Sequence, residues 1–307
     1  ARSASGKDNI AMCGYHGWHD WYLAANLSDD NNLDGHLLSG LNPKGVPRDL
    51  KGTVFPFEYN NIDQLKELIS KKNIGVIKME VMRNFEPKDN FLQKVRDLAD
   101  KNNIVLIFDE CTSGFRETFG GLHKKFEVNP DIAMFGKALG NGYAITALVG
   151  IDSVMAEAQE SFISSTFWTE RIGPTAALKT LEVMHKVKSW DQVTKKGKKI
   201  LSGWHKLKNK YELDINFTGL PALASFSFNE KNALAYKTYL TQEMLKVGYL
   251  ASTSCYSCVC HSDEIIEEYL HNLDPIFKVI KKCEIGELDI LELLDGPICH
   301  SGFTRLN

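Results

Sequence analysis

Between residues 60 and 150 the chain alternates, and this constrains its fold more than any other feature: helical patterns give way to short apolar runs, and the runs stop at polar, charged or glycine residues. In IDQLKELISKKN, Ile62, Leu65, Leu68 and Ile69 share one helical face, and Ile74 to Met79 then reads as a buried strand ending at Glu80. Phe91, Leu92, Val95, Leu98 and Ala99 repeat the helical stripe, and Ile104 to Phe108 is a strand that runs into Asp109 and Glu110. A third strand, Ile132 to Phe135, stops at Gly136 and Lys137, and a fourth, Ile145 to Val149, follows the glycine-containing turn GNGYA. Such an alternation builds βαβ units around a mainly parallel sheet, and open α/β sheets bind ligands at the C-terminal ends of their strands. Glu80, Asp109 and Lys137 are thereby placed to converge on one site.

Further on, the spacing predicts helices over 172–188 and 190–211, the second basic on one side in the manner of a solvated face. From about residue 212 the style changes to a strand (222–228), a helix (232–247), a cysteine-rich loop and a final helix (263–283). The expected organisation is a large α/β domain over 1–205 and a smaller α+β domain over 206–307, which a chain of 307 residues can fill. Hydrophobic residues at 43% and charged residues at 24% belong to a folding, globular chain. A net charge of −3 with interleaved signs provides no basic field for nucleic acid. No apolar run reaches the roughly 18 residues of a membrane span, and the opening residues lack a signal-peptide centre. Seven cysteines without a framework spacing point to reduced thiols, and the chain reads as cytoplasmic.

Lys137, in FGKALGNGYAI, is an amine at a strand end beside a turn that can pass close to a ligand; desolvated there, it becomes a nucleophile toward an aldehyde. Alone it would more often be a lysine reaching out of a strand end. Asp109, in LIFDECTSGFR, can keep a pyridine nitrogen protonated so that the ring acts as an electron sink, although an isolated strand-end aspartate also serves as a helix cap or magnesium ligand. In CGYHGWHDW, Tyr15, His16 and Gly17 supply a stacking face, an imidazole and a close backbone approach. His16, His19 and Asp20 are a rival metal set, but their spacing matches no common ligand pattern. Ser164, Ser165 and Thr166 carry hydroxyls suited to a phosphate, or to an ordinary turn.

Read in order, YHGWHDW, EVMRN, FDECTSGFR, GKALGNG and SSTFW give the chain a resemblance to class III aminotransferases over nearly its whole length, closest to the glutamate-1-semialdehyde aminomutase branch. The specific element is DE-x-x-x-GFR followed twenty-odd residues later by GK-x-x-G-x-G. The resemblance implies the aspartate aminotransferase-like fold type I and the cofactor pyridoxal 5'-phosphate. It implies that Lys137 forms the Schiff base, Asp109 pairs with the pyridine nitrogen, and Tyr15 covers the ring with His16 beside it. Cys111 then packs behind the ring, and Glu80 lies near the substrate side. Thr166 reaches the cofactor phosphate of the partner subunit, which implies a homodimer.

There are departures as well. The sequence opens just after the point where the family places its phosphate loop, which implies an N-terminus shortened by about a hundred residues, whereas HSGFTRLN reads as a natural end. Val81 stands where a proline is usual, and the segment from Glu80 to Asn84 is a residue short. The loop LASTSCYSCVCHS lacks the glutamate of the aminomutases. The expected activity is amino transfer between a small-molecule amino donor and a carbonyl acceptor, with intramolecular transfer by a glutamate-1-semialdehyde 2,1-aminomutase as the alternative. From other classes stand a metal module on Cys255, Cys258, Cys260 and His261, and a chain that performs no chemistry for want of its phosphate loop.

Overall fold

Among the described residues six strands form the larger sheet: β1 (Asn9–Cys13), β2 (Val54–Pro56), β3 (Ile74–Glu80), β4 (Val105–Asp109), β5 (Ile132–Phe135) and β6 (Ala147–Gly150). Their order is β2-β1-β3-β4-β5-β6, parallel except for β6, which runs antiparallel to β5. The connection from β5 to β6 runs over residues 136–146 through a 3-10 turn at Lys137–Leu139, with no crossover helix of the kind that returns a strand parallel. The expected fourth strand is thus present, displaced toward Gly150 and inverted. The computed structural model describes residues 1–36, 39–229 and 231–301.

Two helices cross over between the parallel strands. Helix Ile62–Lys72 starts where the Asn61 side chain accepts the Gln64 N–H at 3.1 Å and stops at Asn73, which adopts a left-handed conformation. Helix Phe91–Lys101 buries Phe91, Leu92, Val95 and Ala99, the stripe visible in the sequence. β3 is buried along its whole length, Lys78 and Glu80 included. On the other side of β1, Met12, Tyr22, Leu33, Leu41, Val46 and Val54 form a second packing cluster.

The chain divides into two compact units at Val187/Lys188, ahead of the sequence-based boundary at 205/206. Helix Ser189–Tyr211 therefore falls whole within the second unit, where Ile200, Trp204 and Leu207 enter the core. That unit carries an antiparallel sheet of β7 (Ile215–Thr218), β8 (Leu223–Phe228) and β9 (Ser254–Tyr256) in that order, with helices Ala233–Lys246 and Asp263–Glu284. Its core is aromatic. Trp204 packs edge-on to Phe226 at 4.8 Å between ring centroids, and its indole N–H donates to the Tyr269 hydroxyl at 3.0 Å. Each such side chain, fully buried, contributes about 1.5–3 kcal/mol. Among the described residues no helix is long and apolar enough to cross a membrane.

Candidate active site

Glu80 and Asp109 are direct neighbours at the C-terminal ends of β3 and β4. Side chains two apart on a strand share a face, so Lys78 projects on the same side as Glu80, beside Asp109. The Asp109 carboxylate is the centre of the cluster. Its Oδ2 accepts from His16 Nδ1 at 3.0 Å and pairs with Lys78 Nζ at 3.2 Å, while Oδ1 accepts the Cys111 N–H at 3.1 Å. Burial works to raise this carboxyl, but the His16 hydrogen bond and the Lys78 charge outweigh it, and the group is held well below the usual carboxylate range. Asp109 is an ionised, nearly buried carboxylate.

The loop after β1 brings His16 to it. Gly14 and Gly17 both have positive φ, at 98° and 93°, and a Cβ on Gly14 would meet Glu80 Oε2 at 2.8 Å. Only glycine lets the backbone turn this close to the strand end. His16 is buried, and its Nε2 lies 2.9 Å from the Cys13 carbonyl. Both ring nitrogens thus lie within hydrogen-bond distance of an acceptor oxygen. Glu80 anchors the same loop. Its Oε2 accepts the Tyr15 N–H at 3.4 Å and its Oε1 binds Arg83 Nη1 at 2.9 Å. Burial pushes the Glu80 carboxyl up, against the pull of Arg83. Beyond Glu80, Arg83, His36 and Tyr59 line a cavity of about 550 Å³.

Lys137 follows Gly136 at the end of β5, with φ at 41°. A left-handed lysine is uncommon and costs of order 1–3 kcal/mol, a strain that clusters at functional sites. Its Nζ donates to Thr112 Oγ1 at 2.5 Å, and Thr112 is buried in the loop after Asp109. Cys111 joins the two halves: burial lifts its thiol to about 11, Asp109 adds to the rise, and the charges of Lys137 and Lys78 act against it. Cys111 Sγ also lies against Gly136, at 3.3 Å from where a Cβ would stand.

Tyr15, His16, Gly17, Glu80, Asp109, Cys111 and Lys137 are therefore brought to adjacent strand ends and the loops that leave them. One expectation fails in detail: Lys137 is exposed, not desolvated, because it sits past the strand on a turn. Thr166 stands apart from the cluster. It is exposed at the start of a 3-10 turn whose cap is the Ser165 hydroxyl, accepting the Phe167 N–H at 3.2 Å. Among the described residues no three of His, Cys, Asp and Glu come together to hold a metal ion, in the His16–Asp20 segment or at Cys255–His261. The sequence reading passed over Lys78, Arg83 and Thr112. Lys78 carries a signal that could have found it: a cation inside an otherwise apolar strand, two residues before Glu80.

Residues 79–270 match the family model for class-III aminotransferases. A 3-aminobutyryl-CoA aminotransferase of Cloacimonas acidaminovorans is 34% identical over 92% of this chain and 67% of its own length. The chain belongs to the class-III aminotransferase family. Its cofactor is accordingly pyridoxal phosphate. This class-III aminotransferase is also 28% identical to a glutamate-1-semialdehyde 2,1-aminomutase of Methanococcus maripaludis, over 91% of the chain and 70% of the relative. Its fold is that of solved transaminases. The FumI protein of Sphingopyxis sp. MTA144, in a pyridoxal-phosphate form, superposes with a TM-score of 0.81 at 18% identity, covering 95% of this chain and 70% of the other. An omega-transaminase from Sphaerobacter thermophilus gives 0.78 at 19%, covering 90% and 69%. The donor set suits the cofactor: an amine for its aldehyde, an ionised carboxylate for its ring nitrogen and an aromatic side chain, Tyr15, for its face.

Proposed function

We propose that this chain transfers an amino group from a small-molecule amino donor to a separate carbonyl acceptor, with Lys137, Asp109 and Tyr15 as the groups that hold the cofactor. The observation that carries the reading is the pairing at neighbouring strand ends of a strained lysine with an aspartate held ionised by its surroundings. Bound pyridoxal phosphate supplies an electron sink for the bond broken at the substrate carbon. Lys137 Nζ holds the cofactor aldehyde and, once free, takes the proton from the carbon that bears the amino group and returns it at the next step. Asp109, through its carboxylate, holds the proton on the ring nitrogen. Thr112 orients the lysine amine, and Cys111 backs the ring. Glu80 has a positioning role, since its two oxygens are engaged with Tyr15 and Arg83.

The greater identity to an aminotransferase than to aminomutases, 34% against 28%, and the missing loop glutamate both favour intermolecular transfer. The aminomutase relatives make intramolecular transfer the second reading. We also infer a homodimer in which Thr166 serves the partner's cofactor phosphate. Its support is the exposed surface of Phe162, Ile163, Phe167, Trp168 and Ile172 around that residue, more apolar area than a lone subunit usually leaves open. Free thiols at all seven cysteines favour a cytoplasmic location. A crossover experiment tests the transfer. With a nitrogen-15 amino donor and an unlabelled carbonyl acceptor, a transaminase puts the label into the acceptor. Retention of nitrogen within one molecule, without any acceptor, would favour the aminomutase.

A further inference from the structure

Lys78 is a buried cation in a strand that is otherwise apolar up to Glu80, and the amino-transfer chemistry above does not use it. Its side chain is 9% exposed, its Nζ pairs with Asp109 Oδ2 at 3.2 Å, and the Trp21 ring lies 5.2 Å from the ammonium. Trp21 also stacks on His16 at 6.2 Å, so one indole flanks both the ammonium and the imidazole that share a single carboxylate oxygen. Stability does not account for this arrangement. Removing a lysine and a carboxylate from water costs about as much as their attraction returns, and replacing such a pair together by well-packed apolar residues is often neutral or better. On Oδ2 the Asp109 carboxylate meets the Lys78 ammonium and a ring nitrogen of His16, while Glu80 is balanced by Arg83.

We propose that Lys78 is a positioning residue for the cofactor's ring nitrogen, acting through Asp109: its ammonium competes for the carboxylate and makes this site hold the ring-nitrogen proton less firmly than the same site with an apolar residue at 78. The proposal rests on the reading that Asp109 faces that nitrogen. Its physical basis is charge. The carboxylate that should attract a pyridinium already has the Lys78 ammonium and a His16 ring nitrogen on Oδ2 and a backbone N–H on Oδ1, so a further positive charge arrives where the field is partly spent. The other ionisable groups around Asp109 are Glu80 on β3, whose charge acts on it directly, Cys111 in the following loop, and Lys137, which reaches the same thiol. Among the described residues, Lys78 is the ammonium paired with the carboxylate, and a His16 ring nitrogen shares the same oxygen.

Two measurements on Lys78→Met and Lys78→Arg test it, with circular dichroism to verify folding and Lys78→Gln in place of the methionine variant if that one fails to fold. In the protein without cofactor, the carbon-13 carboxyl signal of Asp109 is followed against pH. Lys78→Met is expected to titrate at least about one pH unit higher than the parent, and Lys78→Arg to remain with the parent. In the protein loaded with nitrogen-15 pyridoxal phosphate, Lys78→Met is expected to move the ring-nitrogen signal toward the protonated form, with Lys78→Arg again unchanged. An Asp109 signal indifferent to Lys78→Met overturns the proposal. So does a ring-nitrogen signal that responds to Asp109→Asn but not to Lys78→Met, and that result leaves the role of Asp109 standing. A ring nitrogen indifferent to Asp109→Asn removes the reading of Asp109 itself, and the proposal with it.

Discussion

Two segments of this chain crowd reactive side chains together in sequence, and the structure treats them in opposite ways. Around Asp109, residues from two strands and three loops meet: His16, Lys78 and the Cys111 backbone bond the carboxylate, and Thr112 takes the Lys137 amine. In the loop of Cys255, Cys258, Cys260 and His261, the nearness stays one-dimensional. Cys258 and Cys260 are exposed, burial lifts the Cys255 thiol to about 11, and His261 Nδ1 accepts the Cys258 N–H at 3.4 Å. The difference teaches that reactivity is made by long-range convergence on rigid strand ends. Residues close in sequence do not by themselves make a site.

The largest expected effect that can break this contrast is on Lys137→Ala. It should abolish covalent cofactor attachment and lower turnover at least about a thousandfold, because proton transfer at the substrate carbon loses its only proposed base. The far-ultraviolet dichroism should not change, since the residue is exposed and fills no core. Asp109→Asn should retain cofactor but lose about a hundredfold or more in turnover, since a neutral amide cannot hold the ring nitrogen charged. Full activity in that variant would reduce Asp109 to a structural cap.

Acid stability sharpens the comparison further. Folding lowers the Asp109 carboxyl, the effect of burial being outweighed by His16 and Lys78. Its contribution to stability is therefore complete above the unfolded value of about 3.9 and is lost as pH falls toward the folded value. The urea midpoint should drop between about pH 5 and about pH 3, and Asp109→Asn should flatten that drop. An equal drop in both proteins would mean that other carboxylates govern it. The smallest effect belongs to the thiol loop. Cys258→Ser combined with Cys260→Ser should change stability by no more than about 0.5 kcal/mol and leave cofactor uptake alone. Loss of either would promote that loop from surface to site.

Much of the fold was legible because helical stripes and apolar runs report burial directly: β3, β4 and β5 and the helices around Leu65 and Val95 lie where their patterns place them. β1 and β2 were not. NIAMC and VFP are too short for a period to register, and pairing within the sheet, β1 with β3 and β2 with β1, makes them strands, not local pattern. At the site, Asp109, His16 and Lys137 could be named because each sits in a motif of unusual composition. Lys78 could not be assigned a partner from sequence, since its meaning lies in an ion pair across two strands and an indole from a third segment. The exposure of Lys137 was likewise hidden, because a strand end and the turn after it differ by one residue.

The central claim, that Lys137 is the amine that holds the cofactor, is open to one direct measurement. The protein is loaded with pyridoxal phosphate, reduced with borohydride to lock the bond between lysine and cofactor, digested and mapped by mass spectrometry. The account expects one modified peptide, carrying the pyridoxyl group on Lys137 in the FGKALGNGY segment. Modification confined to another lysine, Lys78 included, would contradict it.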